Sequence, residues 1–233
     1  MSRALPACAA IVLVLGSAGV RAESITFNGS SGGQVSAEAD FTTGAGTISV
    51  TLKNLLAGPT GVAECLSALT FQTSDAPGGP LGLSSSAGTL YSVAKNGTYT
   101  SSALLENQAG WVLSNPSGSI LSLNVLVGTG HAGPAHTIIG GPGSGGTYAG
   151  ANSSIAGNKA HNPFIALSET WQITAPGITA NTEISNVVFQ FGTANGQSQV
   201  HGVPAPSSLV GLAGMGAVGA VLFARRRTRT RKA

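Results

Sequence analysis

The stretch QVSAEADFTTGAGTISVTL, Gln34–Leu52, decides how this chain is read. Val35, Ala37, Ala39 and Phe41 recur at every second position, and Ile48, Val50 and Leu52 do the same. A period of two places each set on one face of an extended strand, because successive strand side chains point to opposite sides. Between the runs lies TTGAG, whose glycines supply the backbone conformations that a tight reversal needs. The stretch reads as a β-hairpin with one apolar face.

The same pattern continues outward. Further strands are expected at Ile25–Phe27, Glu64–Gln72, Trp111–Leu113, Ile120–Val127, Ile165–Thr174 and Ile184–Phe191. In IALSETWQIT, Ile165, Leu167, Trp171 and Ile173 share a face, with Glu169 the exception. In ISNVVFQF, Val187, Phe189 and Phe191 fall together. No run of helical period stands out in the body of the chain. Many short strands with Gly, Ser and Asn between them predict an all-β fold, an antiparallel β-sandwich or jelly-roll-like domain. Two segments, 74–119 and 128–163, are rich in small polar residues and read as long loops, either functional or poorly ordered.

Charge separates the body from the ends. The formal net charge of the 233 residues is +3. Between Glu23 and Gly202, however, Lys53, Lys95 and Lys159 face Glu23, Glu38, Asp40, Glu64, Asp75, Glu106, Glu169 and Glu183, and three minus eight is −5. A mildly acidic, sparsely charged body offers no clustered Lys and Arg for phosphates, so no nucleic-acid partner is expected.

Met1–Ala22 carries Arg3, an apolar run through Leu15 and then small residues, with Val20 and Ala22 where a signal peptidase expects them. This is a secretory signal peptide over 1–22, with cleavage between Ala22 and Glu23. Removing it takes Cys8 away and leaves Cys65 alone, without an internal disulfide partner and best read as a buried small apolar residue. At the other end, Leu209–Ala224 is 16 residues without a charge. As a helix it is about 24 Å long, and slightly longer as 207–224. Against a hydrocarbon core of about 30 Å it is short but usable. Arg225, Arg226, Arg227, Arg229 and Arg231 follow as a basic stop-transfer block that stays cytoplasmic. Pro204 and Pro206 keep the segment before the span extended.

Val203-Pro204-Ala205-Pro206-Ser207-Ser208, an apolar span and an arginine block, in that order, resemble the PEP-CTERM sorting signal of Gram-negative bacteria. Ala205 stands where the family's V-P-E-P core has glutamate. The resemblance covers about the last 30 residues. It implies that an exosortase-like membrane protease or transpeptidase is the partner, with a link to exopolysaccharide and biofilm. The implied organisation is signal peptide 1–22, secreted domain 23–202 and sorting signal 203–233. The body is also loosely similar to those of other secreted PEP-CTERM proteins, which supports the sandwich.

Little in the body points to catalysis. Glu38 and Asp40 are the closest pair of acids and lie on the polar face of the hairpin, where a solvated face is the simpler reading. His131 and His136 in HAGPAH, with His161 as a third ligand, have the residue types of a metal site but read as exposed loop histidines. GGPGSGG lacks the lysine of a phosphate loop, and no G-x-S-x-G elbow occurs. No enzyme activity, cofactor or metal is expected. Trp171 reads as core. Tyr91, Tyr99 and Tyr148 lie in loop-rich stretches and are candidate stacking faces for a glycan. Asn28, Asn96 and Asn152 open sequon-like triplets. The chain as a whole reads as an exported, membrane-tethered and then cell-surface or extracellular protein with a structural role near extracellular polysaccharide. A glycan-binding, lectin-like module is the alternative.

Overall fold

The computed structural model describes residues 24–32 and 34–205. The expected signal peptide, the Ala22–Glu23 cut, Pro206, Ser207, Ser208, the span 207–224 and the arginine block lie outside the described residues. In chain order the strands are β1 (Ser24–Ser31), β2 (Val35–Gly44), β3 (Thr47–Asn54), β4 (Leu66–Thr73), β5 (Gly82–Ser85), β6 (Gly88–Val93), β7 (Tyr99–Leu104) and β8 (Val112–Ser117). They continue as β9 (Ile120–Asn124), β10 (Ile138–Ile139), β11 (Phe164–Ala166), β12 (Ser168–Thr174), β13 (Ile184–Phe191), β14 (Ser198–His201) and β15 (Val203–Pro204). One 3-10 turn, Val62–Glu64, is the only helical element among the described residues.

The protein is all-β and sandwich-like. The first sheet has the order β15-β1-β2-β3-β12-β5, and the second β14-β13-β4-β10-β11-β6-β7, with β9 and β8 added beside β4. Pairing is antiparallel except between β10 and β11. The Gln34–Leu52 hairpin is built as its sequence expects. β2 and β3 pair from Ala37↔Asn54 to Gly44↔Thr47, which leaves Ala45 and Gly46 as a two-residue loop. Gly46 has φ 72, a conformation that costs a residue with a Cβ about 1 kcal/mol or more. Val35, Ala37, Ala39, Phe41, Ile48, Val50 and Leu52 are all buried between the sheets. Each of the larger side chains contributes about 1.5–3 kcal/mol by leaving water. Phe41 meets Phe27 edge-on at 5.9 Å and Phe71 of the second sheet at 4.9 Å, so the hairpin is locked to both layers.

Three expectations need correction. Ile165–Thr174 is not one strand. Leu167, at φ 65 and 44% exposed, divides it into β11 in the second sheet and β12 in the first. The exception to the alternation is therefore Leu167, while Glu169 is buried beside Trp171 and Ile173. A bend at one residue rotates that side chain outward, and a period-two count does not register it. The 74–119 segment is not a loop but holds β5 to β8. Thr100–Ala103 of β7 are exposed at every position, so no alternation marked the strand. The 128–163 segment is largely irregular, as read, yet it packs on a small core of its own. Tyr148, Ile155 and Ala156 meet Val62, Cys65, Val93, Ile139 and Phe164 there.

The last crossing of the chain between the sheets, among the described residues, joins β14 to β15. From β14 the chain passes through Gly202 to β15, which pairs with β1 at Asn28↔Val203 and Phe27↔Pro204. The Ala205 amide then donates to the Thr26 carbonyl at 2.9 Å. Sheet structure thus runs two residues beyond Gly202.

Candidate functional site

Two neighbouring strands change sheets at the same place. β5 lies against β12 in the first sheet, with Trp171 opposite Ser85. Its continuation β6 lies against β11 in the second, with Ile165 opposite Leu90. The chain makes these turns at Ser86–Ala87 and at Leu167, and the Ser86 amide ties them by donating to the Thr170 carbonyl at 2.9 Å. Strands that switch sheets form the corners of such folds, and this corner opens into a cleft of about 340 Å³. Ser86, Thr89, Tyr91, Ser168, Glu169 and Thr170 are among the residues that line it.

Glu169 is the deepest polar group of the cleft, 3% exposed, and the only carboxylate among the buried polar side chains described. The Ser86 hydroxyl donates to its Oε1 at 2.7 Å. Its Oε2 is buried and has no hydrogen-bond partner. Desolvation pushes its pKa above the ordinary glutamate value, and the Ser86 hydroxyl together with the nearby Thr170 and Ser86 backbone amides opposes that only in part. Gly88 makes the room: a Cβ at that position would stand 2.7 Å from Oε2. Two further orphan groups lie next to it. Ser85 Oγ and Trp171 Nε1 also lack partners and border a small cavity of about 50 Å³. The Trp111 and Trp171 rings meet there at 4.8 Å. Buried polar groups are nearly always paired, so three unpaired ones along the β5–β12 edge call for a cause.

The tyrosines are brought together. Tyr91 pairs across β6–β7 with Ser101, which places Tyr99 on the diagonal, and the two rings stand 4.5 Å apart. Tyr99 meets Tyr148 edge-on at 5.5 Å. Tyr148 corrects the expectation of a stacking face. It is 1% exposed, burial pushes its pKa upward, and its hydroxyl donates to the Gly140 carbonyl at 2.7 Å. It is the buried anchor that holds the 128–163 segment to the sheet. Tyr91 and Tyr99 remain half-buried. Tyr91 borders the corner cleft, and Tyr99 borders a second cleft of about 340 Å³ shared with Thr98, Thr100, Asn158 and Lys159. The pair forms a ridge between two hollows.

The other candidates are placed elsewhere. Glu38 and Asp40 share the Lys53 ammonium on the outer face of the first sheet, at 2.5 and 2.6 Å. Partial desolvation works against it, yet hydrogen bonds from Lys53 and Thr26 hold the Asp40 carboxyl below its ordinary range. The histidines are each tied to nearby backbone: His131 accepts from the Gly133 amide, His136 meets the Ala109 carbonyl and His161 the Ser154 carbonyl. Among the described residues, no three His, Cys, Asp or Glu side chains gather closely enough to hold a metal ion. Cys65 is fully buried, and desolvation pushes its thiol up, away from the reactive thiolate. Asn96 and Asn152 are exposed, and each side-chain oxygen accepts from the hydroxyl two residues on, Thr98 and Ser154.

Sequence reasoning passed over Glu169 as a site. The signal was present as an acid at a core-facing position of IALSETWQIT, which is a signature of a paired or functional carboxylate. Gly88 and Ser86, the other residues that define its surroundings, gave no signal because their role appears only when two distant turns meet. No family model matches the chain, and no match is found among curated proteins or solved structures.

Proposed function

We propose that this is an exported, non-catalytic β-sandwich protein of the cell surface or extracellular matrix, sorted through its C-terminal signal by an exosortase-like membrane enzyme. One observation of the fold supports this most strongly. β1 begins at Ser24, and the last described strand, β15, runs antiparallel beside it to Pro204. Ala205 therefore lies beside Thr26, two residues from Ser24, and the two candidate targeting segments join the body on the same side. A body tethered from a single pole presents the rest of its surface, including both clefts, to what lies outside. The Ala205 departure from the family's glutamate has a local counterpart: the residue is almost buried against the sheet edge, where a charged side chain would be costly.

The test is intact mass of the protein from native cells, in membrane and medium fractions. The expected species begins at Glu23 and ends within Val203–Ser208. A single species that keeps Arg225–Arg231 and stays in the membrane overturns the sorting reading and leaves a plain anchored protein.

A second reading is glycan binding. The Tyr91–Tyr99 ridge favours it, since two half-exposed aromatic faces set between hydroxyl-lined hollows suit a carbohydrate chain. Retention of the full-length protein on the host's own polysaccharide tests it, and free passage through that polysaccharide contradicts it.

A further inference from the structure

We propose that the corner cleft holds one neutral or amino-sugar residue of a polysaccharide, with Glu169 accepting hydrogen bonds from adjacent hydroxyl or ammonium groups and Tyr91 lying against the ring. The inference rests on the glycan-binding reading and adds to it a site, a key residue and a charge preference.

Size, chemistry and an unpaired group converge on it. A volume of about 340 Å³ lies at the small end of ligand pockets and suits a single ring rather than an extended chain. An ionised carboxylate only accepts hydrogen bonds, so its complement is a group rich in donors. Glu169 has one oxygen occupied by Ser86 and the other unpartnered, although the residue is buried. The terminal torsion of a glutamate is broad and two-fold, so either oxygen can turn toward a ligand. Ser86, Thr89, Ser168 and Thr170 also line the cleft, with the Ser86 hydroxyl engaged by Glu169 and the Thr170 hydroxyl by Thr51. Gly88 lets the carboxylate seat, since a Cβ there would stand 2.7 Å from Oε2, and its backbone does not have a positive φ, so a glycine there answers to space rather than to conformation. The same carboxylate sets a preference. A uronate or a sulfated sugar would bring a second anion against a buried one, which is strongly disfavoured. The body's net charge of −5 acts in the same direction.

The experiment measures binding of the full-length protein to neutral hexose, amino-sugar and uronate oligomers by calorimetry, with thermal melting run on every variant. Neutral or amino-sugar oligomers are expected to bind and uronates not to. Glu169→Gln and Gly88→Ala are each expected to weaken binding at least ten-fold while remaining folded. Tyr99→Ala, at the other cleft, is expected to change it less than three-fold. If Glu169→Gln and Gly88→Ala bind as the native protein does while Tyr99→Ala abolishes binding, the corner inference falls and the glycan reading stands. If uronates bind best, the charge preference is overturned. If no oligomer of the three classes binds, the inference and the glycan reading fall together.

Discussion

The β2–β3 hairpin and the β5–β6/β11–β12 corner are built from opposite materials. In the hairpin, the inward positions from Val35 to Phe41 and from Ile48 to Leu52 are apolar, the two buried polar residues beyond them, Thr43 and Asn54, are hydrogen-bonded to the Thr182 and Ile138 carbonyls, and Lys53 bridges Glu38 and Asp40 on the outer face. In the corner, a leucine sits in a left-handed conformation, a glutamate is buried with a free oxygen, and two more polar atoms lack partners. Local rules that agree with one another specify structure; where they are broken together, function is the usual reason. The hairpin is scaffold, and the corner carries what stability was given up.

Substitutions that break this contrast differ in size. Phe41→Ala should be the most damaging, because it empties the joint between Phe27 and Phe71. A loss of about 3–5 kcal/mol in denaturant unfolding is expected. A loss below about 1 kcal/mol would mean that the hairpin is not the scaffold. Gly29→Ala should come next. Its Cβ would stand 2.6 Å from the Phe189 ring, where β1 crosses the second sheet. Overpacking there costs about 1–3 kcal/mol, read as a lower melting temperature, and an unchanged melt would show that β1 is loosely held. Lys53→Met should be the mildest, since both of its ion pairs are partly exposed. Its cost at pH 7 is under about 1 kcal/mol and shrinks with added salt. The sign with pH follows from Asp40: a carboxyl held below its ordinary range stabilises above that range, and the benefit fades as pH falls through the folded value. The Lys53→Met deficit should therefore disappear in acid, and a deficit that persists there would assign it to lost packing of the lysine stem.

The same contrast explains what the sequence could tell. Val35 to Leu52 was legible because burial on one face leaves a period of two. β7 was not legible, because Thr100–Ala103 are exposed along its length and leave no period at all. Leu167 was misplaced because a corner made by one residue conserves the count but reverses the face. Tyr91 and Tyr99 were named as candidates from residue type alone, and their adjacency came from pairing between β6 and β7. Tyr148 failed as a surface residue because the 128–163 segment folds back on the sheet and buries it, a long-range event without a local mark. Glu169 showed itself only as an acid on an otherwise apolar face, and it lines the corner cleft.

The most direct measurement is the melting temperature of Glu169→Gln beside the native protein, at pH 7 and at pH 4. A buried glutamate whose pKa is raised stabilises the fold only while it is protonated, and that contribution is lost as pH rises through its folded value. The glutamine variant keeps the shape without the charge. It should melt above the native protein at pH 7, and the gap should narrow at pH 4. A glutamine variant that melts below the native protein at both pH values would mean that the carboxylate is a satisfied structural group and that the corner is scaffold like the hairpin.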